Sequence, residues 1–249
     1  MLQYSCARNF KIPDLICLKQ LNPGVPKGLL STGMKVYTMA KKGKNTTESS
    51  KNESMKLFYI FYNQERWDNW IKTLTEVDFT GEDEEEMPEG YQLLYNFNLD
   101  ICLSVLKIIK LYQNNRFTLD DTKAKIDEVE QIVMTPVQEE ELAEIIDSLQ
   151  LSVLVLFASA RLYLEGGYEG DVKTLVKNGR EAVDSDMEEA MRIACQIGAN
   201  VINGSSCCGK YIKDNMEPTL FDEWLIEIET MNEAFSSLKK FDEEAGEGS

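Results

Sequence analysis

Histidine is absent from all 249 residues. That removes Ser-His-Asp and Cys-His nucleophile activation, which need an imidazole as base. It also removes the usual zinc sites and the Glu-x-x-His ligation of di-iron helical bundles. The six cysteines, at 6, 17, 102, 195, 207 and 208, include no C-x-x-C pair. Reduced thiols are therefore expected, with Cys102 and Cys195 buried on apolar helix faces. The adjacent Cys207 and Cys208 have no further soft ligands beside them in sequence. No G-x-x-x-x-G-K-[ST] occurs, and Gly209-Lys210 lacks both the upstream glycine and the following hydroxyl of a phosphate loop. The longest mid-chain stretch without a charge, Ser148 to Ala160, is thirteen residues, short of the ~20 that cross a bilayer. No Arg/Lys-led apolar run opens the sequence as a secretory signal would. A cytoplasmic protein with no membrane association is the expectation.

What the chain has in excess is negative charge, with 43 carboxylates against 26 cations and a net charge of −17. The excess is uneven. Up to Met55 there are nine Lys/Arg against three Asp/Glu, and from Lys56 onward 17 against 40. A body that acidic repels nucleic acid and anionic membrane at long range and attracts basic partners.

Residues 1–55 hold Pro13, Pro23 and Pro26 and then a polar run with no sustained apolar period. Such a composition buries too little surface to offset its ordering entropy. It is expected to be a disordered basic extension, with Met39 or Met55 as alternative starts. Residues 56–242 are expected to form one all-helical domain, and 243–249 an acidic tail.

Within that domain each helix carries its own punctuation. Asn63 is a good N-cap ahead of Trp67, Trp70, Ile71 and Leu74, which share one face. Leu94, Phe97, Ile101, Val105, Ile108 and Tyr112 keep core spacing over about five turns. Thr118 with Asp121 opens a third helix. Thr135, Pro136 and Gln138 combine three start signals for a fourth, which is apolar nearly all round from Leu149 to Phe157 and so belongs at the centre of a bundle, with Leu154 among its buried positions. Gly166-Gly167 ends it. Asp171 and then Ser185 with Glu188 open two shorter helices. Pro218 starts the last, whose stripe runs Phe221, Trp224, Leu225, Ile228, Met231, Phe235 and Leu238. Only Val36–Thr38 and Leu57–Tyr62 look strand-like, too few for a sheet. The fold class is all-α, a single bundle of about seven helices.

The block L-F-Y-I-F-Y-N-Q-E-R-W-D-N-W-I at 57–71 is similar to the opening F-Y-x-x-E-R-W-x-N-W of an archaeal domain-of-unknown-function family, number 2150. The order afterwards also resembles that family across about 57–242. An acidic connector leads to the long helix, the T-L-D-D helix, the apolar helix ending Tyr163-Leu164-Glu165-Gly166-Gly167, the Ala-rich helix at 190–202 and the Trp224 helix. The resemblance implies an archaeal cytosolic helical protein and brings no catalytic residues with it. The long basic N-terminal extension departs from the family pattern.

Carboxylate chemistry survives the absence of histidine. All-α nucleotide pyrophosphohydrolases hold Mg²⁺ with E-x-x-E on one helix and E-x-x-D on the next. Glu141 and Glu144 match the first half, and Glu181 and Asp184 the second, although 36 residues separate the halves. Asp120-Asp121, by contrast, sits where a helix's first turn favours acids. The favoured expectation is a non-enzymatic acidic adaptor or regulatory module without cofactor, binding a basic protein. Trp67, Trp70, Phe221 and Trp224 would supply its docking anchors if they face outward. The carboxylate/Mg enzyme is the alternative.

Overall fold

The computed structural model describes residues 61–79, 88–205, 208–212 and 219–246, without the side chains of Glu140, Glu141 and residues 239–246. The expected basic extension, residues 57–60 of the strand-like stretch, residues 81–87 of the acidic connector, Cys207, Pro218 and the last three residues lie outside that range. Among the described residues there are seven α-helices and no strand. They are α1 (Gln64–Thr75), α2 (Glu89–Gln113), α3 (Leu119–Val133), α4 (Glu140–Glu165), α5 (Val172–Ala182), α6 (Met187–Ile202) and α7 (Leu220–Gly246), with a short 3₁₀ turn at Gly209–Tyr211.

Side-chain caps set most of the starts. Asn63 Oδ1 accepts from Arg66 N, and Thr118 forms a reciprocal capping box with Asp121. Asp171 accepts from Thr174 N. Each satisfies backbone donors that the first helical turn leaves unpaired. Two expected starts are displaced. The T-P-V-Q signal does not open α4, which begins five residues after Thr135 on an N-cap, Glu139, without a side-chain bond. Gln150 Nε2 donates to the carbonyls of Val133 and Thr135, and that tertiary bond holds the segment outside the helix. In α6 the cap is Asp186, accepting from Glu189 N, while Ser185 Oγ donates back to Ala182 O. Gly166 and Gly167, at φ +73° and +87°, end α4 in conformations that cost a Cβ dearly.

α4 lies at the centre and packs against α2, α3, α6 and α7. Val153, Val155, Leu156 and Phe157 are fully enclosed. Leu154 is a correction: it is only partly buried, and Leu151, three residues before it on the same side of the helix, is likewise. α7 packs on α2, α4 and α6, α1 on α2 and α3, and α5 on α6. The tightest helix contacts at glycine are closer than an alanine would allow. A Cβ at Gly179 would stand 2.0 Å from the Phe221 ring, and one at Gly198 would stand 2.1 Å from Ser159 Oγ.

By length and composition, α2 and the Leu142–Glu165 part of α4 are apolar enough to cross a bilayer. A search for uncharged runs misses them because both carry a few charges. Half of the α2 window and 44% of the α4 window are buried inside the bundle, and a core helix satisfies the same criterion.

Candidate functional site

The block at 61–71, the most distinctive in the sequence, folds into a clasp on α2. Trp67 and Trp70, one turn apart on α1, both meet the ring of Phe97, with centroids at 5.3 and 5.2 Å. Beside them Arg66 grips Asp100 of α2 with two nitrogens, and Trp70 Nε1 donates to Asp100 Oδ2 at 2.9 Å. Tyr62 packs beneath, 1% exposed, and Arg66 lies over its ring. Burial, and then the negative charge of Asp100, push the Tyr62 phenol far above its ordinary range. Burial and the nearby Arg66 charge lower Lys107. These groups join α1 to α2.

Of the four aromatic residues expected at a docking surface, Trp67 (3% exposed), Phe221 (0%) and Trp224 (1%) are core residues. Trp70 is partly exposed. The four do not form one patch: Trp67 and Trp70 hold α1 to α2, whereas Phe221 sits against Gly179 of α5.

Of the four carboxylates expected to hold Mg²⁺, Glu144, Glu181 and Asp184 are exposed, and the side chain of Glu141 lies outside the described residues. Among the described residues no three acidic or thiol groups stand together as metal ligands would. Glu181 is instead 3.7 Å from Lys177 Nζ, one turn away.

Two open grooves mark the surface. The first runs between α5 and α6, with Leu175 and Ile193 at its floor and Asn178, Glu181, Glu189, Arg192 and Gln196 around it. The second lies between α1 and residues 135–139, with Trp67, Ile71, Pro136 and Val137 facing Asp68, Lys72 and Glu76. Glu181, Glu189 and Arg192 are the charged residues that line the first. Glu181, Asp184, Asp186 and Glu188 are exposed over eight residues of the α5–α6 connection, and Glu189 is engaged by Arg192.

One cluster escapes a linear reading. Glu227, on the buried side of α7, is 2% exposed. Asn98 Nδ2 donates to its Oε2 at 2.7 Å and Ser152 Oγ to the same oxygen at 3.4 Å, while Cys102 Sγ lies 3.0 Å from Oε1. Three helices, α2, α4 and α7, thus meet at one carboxyl group that has no cation paired with it among the described residues. Burial pushes Glu227 above the usual carboxylate range, and the three hydrogen bonds pull it only part of the way back. Burial and the neighbouring carboxylate likewise push the Cys102 thiol well up. The signal for Glu227 was present, since it falls between Trp224 and Met231 on the apolar stripe. Its partners stand 75 to 129 residues away, and no spacing rule connects them.

No curated protein and no solved structure matches the chain. A family model described as "Uncharacterized protein conserved in archaea (DUF2150)" matches residues 60–244. The match begins at the clasp and runs through all seven helices. The chain belongs to this archaeal family.

Proposed function

We propose that this protein is a non-enzymatic acidic adaptor or regulatory module that works in the cytoplasm and binds a basic protein partner. The observation that carries the reading is the α5–α6 end. Glu181, Asp184, Asp186 and Glu188 present their carboxylates to solvent beside an open groove with an apolar floor. Lys177 and Arg192 are the cations set against this group, paired with Glu181 and Glu189. A net negative field beside a concave surface raises the encounter rate with an oppositely charged partner and penalises wrong ones. Trp70, partly exposed on α1, is the one expected aromatic anchor with surface to offer. The folded domain carries the wrong sign of charge for nucleic acid.

Affinity capture from native lysate at low and then high salt tests this, with Mg²⁺-dependent melting and nucleotide hydrolysis measured alongside. The expected result is a specific basic protein that is retained at low salt, released at high salt, and lost when Glu181, Asp184, Asp186 and Glu188 are all changed to Gln or Asn. A Mg²⁺-dependent rise in melting temperature abolished by Glu141→Gln, together with hydrolysis of a nucleotide, would replace the adaptor reading with the carboxylate/Mg enzyme.

A further inference from the structure

The Glu227 cluster joins the last helix to the core through hydrogen bonds alone. Cys102 and Asn98 come from α2, one turn apart, and Ser152 comes from α4. Each is a donor that serves a carboxylate. Ser152 Oγ is also an acceptor, so a protonated Glu227 can donate to it while still accepting from Cys102 and Asn98. The same geometry therefore satisfies the neutral acid. It gives the ion no counter-charge.

Among the described residues, no charged group is paired with Glu227, whose hydrogen bonds come from Asn98, Cys102 and Ser152. On α2, burial first, and then the charges of Glu233, Cys102 and Glu227, raise Tyr95, while Lys110 Nζ lies over the Phe235 ring and Lys107 Nζ over the Phe61 ring. The charged residues of α6 are Glu188, Glu189 and Arg192, in its first turns, with the last two paired to each other. On α5, Arg180 is committed to Asp222 and Lys177 to Glu181. On α4, Arg161 is committed to Asp127 and Glu130 of α3.

We propose that Glu227, Cys102, Asn98 and Ser152 form a proton-gated latch. While Glu227 keeps its proton, α7 stays seated on α2 and α4. Local opening at this point releases the proton to solvent and uncovers the Cys102 thiol. The physical basis is the cost of an ion in a dry site without a cation. A solvated glutamate loses its proton near pH 4.3, and this one, raised by burial, holds it longer. Below that pH both closed and open forms are protonated, and pH has no leverage. Above it the open form releases a proton that the closed form retains, so each rise in pH favours opening until the closed form ionises too. Stability contributed by the latch is thus present in acid and lost as pH rises.

Cys102 gives the readout, since it is fully enclosed and reacts only when the cluster opens. The reduced full-length protein is treated with N-ethylmaleimide between pH 5 and 8, and labelling is followed peptide by peptide by mass spectrometry. The thiolate is the reactive species, so an opening that moves no proton labels about tenfold faster per pH unit. The latch adds up to a second factor of about ten per unit in the window where only the closed form is protonated. The expected result is this excess slope at Cys102 and not at Cys195 of α6 in the same digest, with Glu227→Gln reducing Cys102 to the simple slope. Three outcomes overturn the proposal: a simple slope at Cys102 in the wild-type protein, the same excess at Cys195, or an excess that persists in Glu227→Gln. The first two need no variant, so the test holds even where Glu227→Gln does not fold.

Discussion

The indole N–H of Trp70 and the guanidinium Nε of Arg66 meet the same oxygen, Oδ2, of Asp100. One carboxylate on α2 therefore sets the rotation of α1, because Arg66 and Trp70 sit four residues apart and must face it together. Asp100→Ala removes the shared acceptor and leaves an indole donor unpaired. Arg66 is 40% exposed at its side chain, so its share is screened by water. A loss of about 1–2 kcal/mol is expected, most of it from the partly buried Trp70 bond. Urea denaturation of the two proteins measures it, and a loss that vanished in 0.5 M salt would instead assign the effect to Arg66.

Gly179 should resist enlargement. Alanine is worth up to about 1 kcal/mol over glycine inside a helix by propensity, but its Cβ would overlap the Phe221 ring at 2.0 Å. Overpacking of that kind costs about 1–3 kcal/mol. Gly179→Ala should destabilise on balance, and should stabilise when combined with Phe221→Leu, which clears the ring. A double-mutant cycle showing additive effects would contradict the packing account.

Leu154 and Leu156, two residues apart on α4, should respond differently. Leu156 is fully enclosed, and Leu156→Ala should cost about 2–5 kcal/mol. Leu154 is partly open to solvent, so Leu154→Ala should cost less than half as much. Thermal melts of the pair decide it. Equal losses would mean that something covers Leu154 in solution.

Acid should weaken the joint between α5 and α7. Burial tends to raise Asp222, but Arg180, Thr219 Oγ1 and the Thr219 backbone N–H outweigh it and hold the carboxyl below its ordinary value. The unfolded chain binds this proton first, near pH 3.9. The Asp222 contribution is therefore complete above that pH and lost as pH falls toward the folded value. Asp222→Asn should be less stable than wild type by about 1–2 kcal/mol at neutral pH, with the gap closing between pH 5 and 3. Denaturation midpoints across that range test the sign. A gap that widened in acid would be inconsistent with it.

Helices and their facing residues were legible because both rest on local rules. Asn63, Thr118 and Asp171 announce helix starts through a side chain three residues from the N–H it satisfies. The 94–112 and 221–238 stripes announce their buried faces through the 3.6 period. The exceptions have tertiary causes. Gln150 holds residues 133–135 out of α4 from fifteen or more residues away, and how far Leu154 is covered depends on how the other helices surround α4. The aromatic anchors illustrate the same limit. Trp67, Phe221 and Trp224 stand at helical spacing, which marks a face without saying whether a sister helix or a partner covers it. The acids at 141, 144, 181 and 184 matched a ligand pattern in sequence, yet the three with described side chains do not gather. The Glu227 cluster draws its four members from three helices, and such a meeting is visible only after folding.

Of the seven described helices α7 is made after the others, yet it covers faces of α2, α4 and α6 laid down long before. At synthesis rates of about 5–20 residues per second, its 27 residues take roughly 1–5 s to appear. For that time the nascent chain carries six helices whose common apolar face has no cover, with Asn98, Cys102 and Ser152 lacking the carboxyl they share. The face that α7 covers therefore cannot close in stages from the N-terminus; it waits for the whole of that helix.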